Sequence, residues 1–459
     1  MPKAAFATLG CKVNQYETQR ILDSFELAGF EITEFNCDAD IYVINSCSVT
    51  QTAERKSRQM IRRLHKQNPN AIIVLTGCYG EMAKSRNDMP AEVSLHIPNT
   101  EKMRTAEIFL NKFPDLRHSL DIQTVSQNTS KRRNLRTRAM IKVQDGCDLY
   151  CSYCSIPFTR NRMESRPFES IIAEAESLAE KGYREIVVTG VLVGSYQDCS
   201  QAECRDLADL LRSLANIKGI ERVRLSSIEP TQVTEKLLRT FLEEKRICNH
   251  LHIPLQSGDS SILRAMNRPY DRDYYLKLCE RVYHFLPNAA ITTDILTGFP
   301  GETEEAFENT MDVVRRVHFA RTHIFRYSAR PGTPAALMPD SVAEDVKEER
   351  SHRLAKLCKE VQNQYISRFL GGSMNVLVEA KEAQGGLLSG YTENYIRVLF
   401  AGGSHLIGKV TPIKLISPIE DGAMAETLNA LQPEADIIPL SLVQGTRNPN
   451  VMVYYNAVK

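Results

Sequence analysis

Three cysteines fall within one short stretch, at Cys147, Cys151 and Cys154, in the spacing CxxxCxxC. Three thiolates on one loop can hold three corners of a cubane iron–sulfur cluster and leave the fourth iron without a protein ligand, open to a substrate. A structural zinc site would want a fourth protein ligand, and no fourth Cys or His lies within this loop. A zinc site completed from a distance, or three unrelated cysteines, are the alternatives.

A second set is spread over the first 125 residues. Apolar β-like runs at 4–9, 41–45 and 72–76 each lead within two residues to a cysteine: Cys11, Cys47 and Cys78. Helix-like segments at 15–28 and 50–67 follow the first two runs, so the pattern predicts a parallel sheet. Loops at the carboxyl ends of such strands face one crevice, where three cysteines would converge. Gly10 and Gly77 would free the turns. The plainer reading is three small buried residues at strand ends; Cys37, outside the pattern, is expected in the core.

Between the two sets lies a polar stretch, 126–138, carrying Lys131, Arg132, Arg133, Arg136 and Arg138. It reads as an interdomain linker, suited either to phosphate contact or to simple solvation. From residue 139 a β then α rhythm runs six times, with strand-like runs at 139–144, 185–189, 222–226, 250–255, 290–296 and 322–327. Six units predict a partial barrel, with chemistry at the carboxyl ends of its strands. The CxxxCxxC loop follows the first of them. Other strand ends carry Thr189-Gly190, Ser227 with Glu229, Gln256-Ser257 and the Gly298 to Glu302 turn, whose glycines let backbone approach a ligand. His250 and His252 alternate on one strand and are expected to be satisfied structural histidines. Cys199, Cys204, Cys248, Cys279 and Cys358 are expected to be structural too.

A long charged helix at 340–370 closes this region, and short strands with Gly-rich turns follow over 371–420, a small all-β module. There Tyr391, Tyr395 and Arg397 interleave aromatics with a cation, which would suit RNA bases or cross-strand packing equally. Beyond 421 the chain signals no chemistry; 425–432 looks helical and 451–455 strand-like.

Composition sets the bounds. At 459 residues the chain has room for roughly three domains. No secretory signal opens it and no run of about 18 apolar residues could span a bilayer, so a cytoplasmic protein without a membrane partner is expected. In that compartment twelve cysteines speak for metal or redox chemistry over disulfides. With a formal net charge of +1, nucleic-acid binding would need local basic patches.

The CxxxCxxC spacing, with Tyr153 just before the third cysteine, resembles the signature of radical S-adenosylmethionine (SAM) enzymes. Taken with TLGCKVNQYE, INSCSVT, LTGCYGE, HIPLQSG, TTDILTGFPGE and GYTENY, it is similar to the methylthiotransferase family of those enzymes over about residues 1–420. The resemblance implies an α/β multidomain fold: a methylthiotransferase domain (1–125), the basic linker (126–138), a (β/α)6 radical SAM domain (139–370) and a TRAM β-barrel (371–420), with an extension (421–459) of no assigned role. It implies two [4Fe-4S] clusters, on Cys147, Cys151 and Cys154 and on Cys11, Cys47 and Cys78, with Tyr153, Thr189, Gly190, Ser227, Glu229, Gln256 and Ser257 near SAM. RNA contact would fall to Lys131, Arg132, Arg133, Arg136, Tyr391, Tyr395 and Arg397. Partners would be tRNA, an electron donor such as flavodoxin or ferredoxin, and a sulfur donor.

GCKVNQYE is most similar to enzymes that convert N6-threonylcarbamoyladenosine beside the tRNA anticodon, at position 37, into its 2-methylthio derivative. Relatives acting on isopentenyladenosine, and a non-catalytic zinc-containing RNA-binding protein, are the alternatives. Asn161, Met163 and Arg326 depart from the family pattern and leave the SAM or substrate contacts near them open.

Overall fold

The structure, a computed structural model, describes residues 1–48, 51–118, 137–200, 203–383 and 385–428. Lys131, Arg132, Arg133 and Arg136, and the expected strand at 451–455, lie outside the described residues. Among the described residues no helix is long and apolar enough to cross a membrane.

The N-terminal region is a five-stranded parallel sheet in the order Glu31–Thr33, Lys3–Thr8, Ile41–Ser46, Ile72–Gly77, Leu95–Ile97. The middle strand is buried along its whole length, as an apolar run covered on both faces must be. Ala4 faces one core with Ile21, Phe25 and Phe109, while Ala5 faces another with Ile61 and Leu64. Helices therefore cover both sides, and the three cysteines emerge together at the carboxyl edge. The two outer strands were not legible, because three residues hold too little of any period.

Next come six parallel strands in two sheets: Arg222–Leu225, Glu185–Gly190 and Arg138–Asp145, then His250–His252, Ala290–Thr297 and Arg321–Arg326. Single bridges from Val223 to Ile247 and from Ser227 to His252 join them into a partial barrel. The antiparallel strand Glu164–Ser165 extends one edge. Helix Glu344–Ser367 packs along the last strand at the other edge. The two histidines are satisfied as expected: a ring nitrogen of each lies 2.9 Å from Thr292 Oγ1.

The C-terminal barrel closes with five strands, in the order Ser373–Lys381, Leu388–Thr392, Arg397–Phe400, Gly422–Thr427, Val410–Ile419, around Val376, Val398, Phe400, Ile413 and Leu415. The expected helix at 425–432 is corrected at its start, since Gly422–Thr427 is a strand. Ala-Met-Ala-Glu favours a helix locally, but pairing with two neighbours overrides that preference.

The two barrels interlock. Arg222 donates to the Tyr391 carbonyl at 3.0 Å, and Arg224 to the carbonyls of Thr392 (3.0 Å) and Glu393 (3.1 Å). Both arginines pair with Glu185 at 2.8 Å. Burial pushes that carboxyl up, but Arg224, Arg222 and Arg138 outweigh it and hold it at about 2. Tyr395 stacks on His250 (centroids 4.4 Å apart) and on Tyr391 (4.8 Å), with Arg224 over its ring. The GYTENY turn thus plugs the amino-terminal mouth of the larger barrel, and the half-buried rings of Tyr391 and Tyr395 are engaged in that packing. Arg397 is half-buried and paired with Glu382 at 2.7 Å.

Tyr395→Leu should therefore lower the thermal midpoint by the loss of about 1–2 kcal/mol of ring stacking and cation–π contact. Its affinity for unmodified tRNA should stay within about twofold, where loss of a base-stacking platform would weaken binding roughly tenfold. A weakened affinity with an unmoved midpoint would restore the RNA reading.

Two cysteine expectations also change. Cys199 and Cys204 form a disulfide, because strands Gln197–Asp198 and Arg205–Asp206 pair antiparallel and bring the ends of their loop together. The expectation against disulfides fails for that pair. Cys37 is exposed, on the loop before Ile41–Ser46 and not in the core; Cys248, Cys279 and Cys358 are buried.

Candidate active site

The loop after Asp145 is held chiefly by bonds to its backbone. The Cys147 N–H donates to the Arg160 carbonyl (3.3 Å), Ser152 N–H to the Met266 carbonyl (3.0 Å), and the Asn267 amide to the carbonyls of Leu149 (3.1 Å) and Tyr150 (3.0 Å). Burial, followed by repulsion from neighbouring thiols, pushes Cys147 up to about 11 and Cys154 up to about 12. Alone these sulfurs keep their protons. A cationic centre reverses that balance and releases the protons on binding. Arg268 donates to the Cys151 sulfur at 2.9 Å while its other arm grips Glu229 at 2.5 and 2.6 Å.

The second set is built from three loops stitched to one another. Cys11 caps the first helix, Lys12–Leu27, and Cys78 opens the short helix Cys78–Ser85. Asn14 donates to the carbonyls of Leu9 (2.8 Å) and Ser46 (2.9 Å), tying the Cys11 loop to the Cys47 loop. Ser46 Oγ donates to the Thr76 carbonyl at 2.6 Å and accepts from the Gly80 N–H at 3.2 Å, tying Cys47 to Cys78. Gly10, at φ +102°, leaves a gap that a Cβ would fill only 2.6 Å from the Cβ of Cys47. Gly77, at φ +95°, backs directly onto the backbone of Ser46.

The two sets face each other. Ser48 and Ser155 touch through their hydroxyls at 3.3 Å, and Arg330, from the far end of the barrel, donates to the Ser48 carbonyl beside Cys47 at 2.8 Å. Beneath them Arg160, from the CxxxCxxC side, reaches Glu17 (2.7 and 2.8 Å), Asn14 (3.0 Å) and Asp145 (2.8 Å); Lys102 and Lys142 also meet Glu17 at 2.7 and 3.0 Å. Sequence reasoning missed this network and Arg330. The only signals were a Glu inside GCKVNQYE and an Arg-Pro-Gly turn after the last barrel strand.

Among the described residues no three His, Cys, Asp or Glu side chains close tightly on a single ion. The fit to an iron–sulfur group rests on the donor chemistry, two sets of three soft sulfurs, and on the stitched convergence of their loops.

The residues expected near SAM divide. Ser227 is exposed at its strand end, and Gln256, half-buried at φ +63°, makes no side-chain hydrogen bond. Thr189 is buried, and Gly190 packs on Gln144. Glu229 is committed to Arg268, and the Ser257 hydroxyl accepts from the Asp259 N–H at 3.2 Å. Tyr153 packs edge-on to Phe299. Of the departures, Asn161 and Met163 are exposed, and Arg326 is exposed beside Glu348 (3.7 Å).

The radical SAM superfamily matches residues 141–314, and a family described as Uncharacterized protein family UPF0004 matches residues 3–95. A solved relative in fold is TsrM, a radical S-adenosylmethionine methyltransferase from Kitasatospora setae; it is 15% identical at a TM-score of 0.53 and covers 73% of this chain and 75% of its own. Threonylcarbamoyladenosine tRNA methylthiotransferase MtaB of Bacillus subtilis is 38% identical over 433 residues, 91% of this chain and 94% of its own. A tRNA-2-methylthio-N(6)-dimethylallyladenosine synthase of Pelotomaculum thermopropionicum is 34% identical over 90% of this chain and 95% of its own. With such identity over nine-tenths of this chain and of those relatives, the chain belongs to the radical SAM methylthiotransferase family.

Proposed function

We propose that the chain converts N6-threonylcarbamoyladenosine at position 37 of tRNA into its 2-methylthio derivative, using two [4Fe-4S] clusters and two molecules of SAM. The observation that carries this reading is the opposition of the two cysteine sets across the Ser48, Ser155 and Arg330 contacts. Methylthiolation at an aromatic C–H needs one centre to generate a radical and another to hold sulfur. The relatives named for threonylcarbamoyladenosine, at 36–38% identity, favour that substrate.

Cys147, Cys151 and Cys154 would hold the cluster that, once bound, passes an electron to SAM to give the 5′-deoxyadenosyl radical, the species able to take hydrogen from adenosine C2. Cys11, Cys47 and Cys78 would hold the sulfur-bearing cluster. Each cysteine gives up its proton on ligation, and Arg268 and Arg330 stand where they offset the negative charge so created. Ser227 and Gln256, whose polar groups remain available, would orient SAM; Tyr153, Thr189 and Gly190 would shape its pocket, and Glu229 would act through Arg268. Ser257 would support the turn beside them. Electrons would come from a flavodoxin or ferredoxin, with a separate sulfur donor, and the linker cations Lys131, Arg132, Arg133 and Arg136 would meet tRNA phosphates.

Nucleoside mass spectrometry tests the proposal: tRNA bearing either the threonylcarbamoyl or the isopentenyl group is incubated anaerobically with reconstituted protein, SAM and reductant. A methylthio mass gain on the threonylcarbamoyl nucleoside alone is expected. A gain only on the isopentenyl nucleoside overturns the substrate, and no gain on either, with SAM being cleaved, overturns tRNA as the target. Gly10→Ala gives a separate check on cluster number. Its positive φ and its collision with Cys47 should cost roughly half the bound iron, measured with acid-labile sulfide.

A further inference from the structure

Helix Gln51–Gln67 carries six cations against a single carboxylate, in a chain whose net charge is only +1. Ser57, Ile61 and Leu64 lie on its buried stripe with Glu54, which is turned to Arg58 (3.5 Å) and Arg86 (3.4 Å). Arg55, Lys56, Arg62, Arg63 and Lys66 are exposed, and among the described residues none of them makes an ion pair or a side-chain hydrogen bond. With about 3.6 residues per turn these five fall within about 120° of arc, centred opposite the buried stripe, and Arg55 to Lys66 covers about 16 Å of helix. Exposed arginines on other helices stand beside acids: Arg239 lies 2.5 Å from Glu235, Arg104 2.7 Å from Glu107 and Arg353 3.2 Å from Glu349. Here Arg62 and Lys66 put like charges four residues apart, which weakens a helix and gives the fold nothing in return.

The helix also starts in the right place. It opens three residues after Ser48, whose carbonyl Arg330 binds at 2.8 Å across the seam between the two sulfur sets. Its first turn is tied to the same seam by Arg86, which reaches Glu54 at 3.4 Å and donates to the Pro331 carbonyl at 3.2 Å. From there the helix leads back toward the amino edge of the N-terminal sheet, away from the cysteines, over about 25 Å. A cationic row thus begins beside the site and runs outward from it.

The proposed substrate needs contact along such a line. Position 37 lies in the anticodon loop, and a loop base delivered between the sulfur sets leaves its paired stem to run outward from the seam. A base-paired RNA stem is held through its phosphates and its shape, without regard to sequence, and a row of unpaired cations is the chemistry that holds phosphates. We propose that the outward face of helix Gln51–Gln67, with Arg55, Arg62 and Lys66 as one row along it, is the docking surface for the phosphate backbone of the anticodon stem. This rests on the reading of tRNA as substrate and adds the surface that carries its stem, whichever group the adenosine bears.

The test uses the full-length reconstituted protein and two RNAs bearing threonylcarbamoyladenosine, the anticodon stem-loop and the same loop as a single strand without its stem. Binding is measured across a range of salt for the native chain, for the combined Arg55→Gln, Arg62→Gln and Lys66→Gln variant, and for the combined Arg55→Lys and Arg62→Lys variant. The Gln variant should bind the stem-loop roughly tenfold or more weakly, with the slope of log affinity against log salt shallower by about 2 to 3. Its binding of the free loop should change by less than about twofold, and the Lys variant should keep the native slope. All three side chains are exposed, so the thermal midpoint should hold. A Gln variant with native slope and affinity overturns the proposal, as does equal loss for stem-loop and free loop. Native RNA binding with slower reduction by a flavodoxin would also overturn it, and give the surface to the electron donor instead. A native protein that binds free loop and stem-loop alike overturns it without any variant. Failure of the functional reading is seen separately, as absence of methylthio gain on the stem-loop by the native protein.

Discussion

Alanine in place of Cys147 is expected to lower SAM cleavage by at least about a thousandfold, some 4 kcal/mol of lost rate acceleration, and to take methylthio product down with it. Alanine in place of Cys47 should cost the product as much, yet reduce SAM cleavage by less than about tenfold, because the radical-generating loop keeps all three sulfurs. The structure gives the reason for the split. The loop carrying Cys147 is braced by its own contacts, to Arg160, Met266 and Asn267, and none of these runs through the Cys47 loop. The Cys47 loop is braced by Asn14 and by Ser46 and its partners, within the N-terminal sheet. Assays for 5′-deoxyadenosine and for 2-methylthio nucleoside on the same samples read both losses. Equal loss of both activities in both variants, each still folded, would count against separate roles for the two sets.

The legible part of this molecule was its chemistry and its repeating framework. A cysteine triplet is visible in any alignment of letters with ligand spacing, and strands of six residues at even intervals declare a parallel sheet before any contact is known. Helices Arg272–Phe285 and Glu304–Val317 have bounds that Asp271 and Thr303 announce as caps. What stayed hidden depends on partners distant in sequence. The Tyr391 and Tyr395 pair reads as a nucleic-acid platform, and nothing near it in sequence shows that Arg222, Arg224 and His250, about 150 residues earlier, pack against it. Likewise nothing local tells that Cys199 meets Cys204, since two strands of two residues carry no pattern.

Glu17 shows the same dependence on distance with the greatest consequence for stability. Its carboxylate is 2% exposed and meets Arg160 and Lys102, themselves 3% and 1% exposed, together with Lys142. Burial pushes the Glu17 carboxyl up, but Arg160, Lys102 and Lys142 outweigh it and hold it well below the usual carboxylate range. Replacing it by Gln keeps the shape and strands two buried cations and the half-buried Lys142 with only Asp145 among them. The expected loss is about 3–5 kcal/mol, dominated by the charges left behind and not by the worth of the pairs. The folded pKa lies below the unfolded one, so this contribution is complete above about pH 4.5 and is lost as pH falls through the folded value. The thermal midpoint of Glu17→Gln should therefore fall markedly at pH 7, with the gap to the native protein closing as the buffer is made more acidic. Adding Lys102→Met to Glu17→Gln should recover part of the loss by removing one stranded charge, a coupling that a simple packing defect would not produce. Because Glu17 lies three residues from Asn14 on one helix, and Arg160 shares Asn14 with it, the same variant should loosen the Cys11 loop against the Cys147 loop and depress methylthio product more than SAM cleavage. A drop below about 1 kcal/mol, the size expected of an exposed pair, would mean that water reaches this network and that it does not weld the two cysteine sets together.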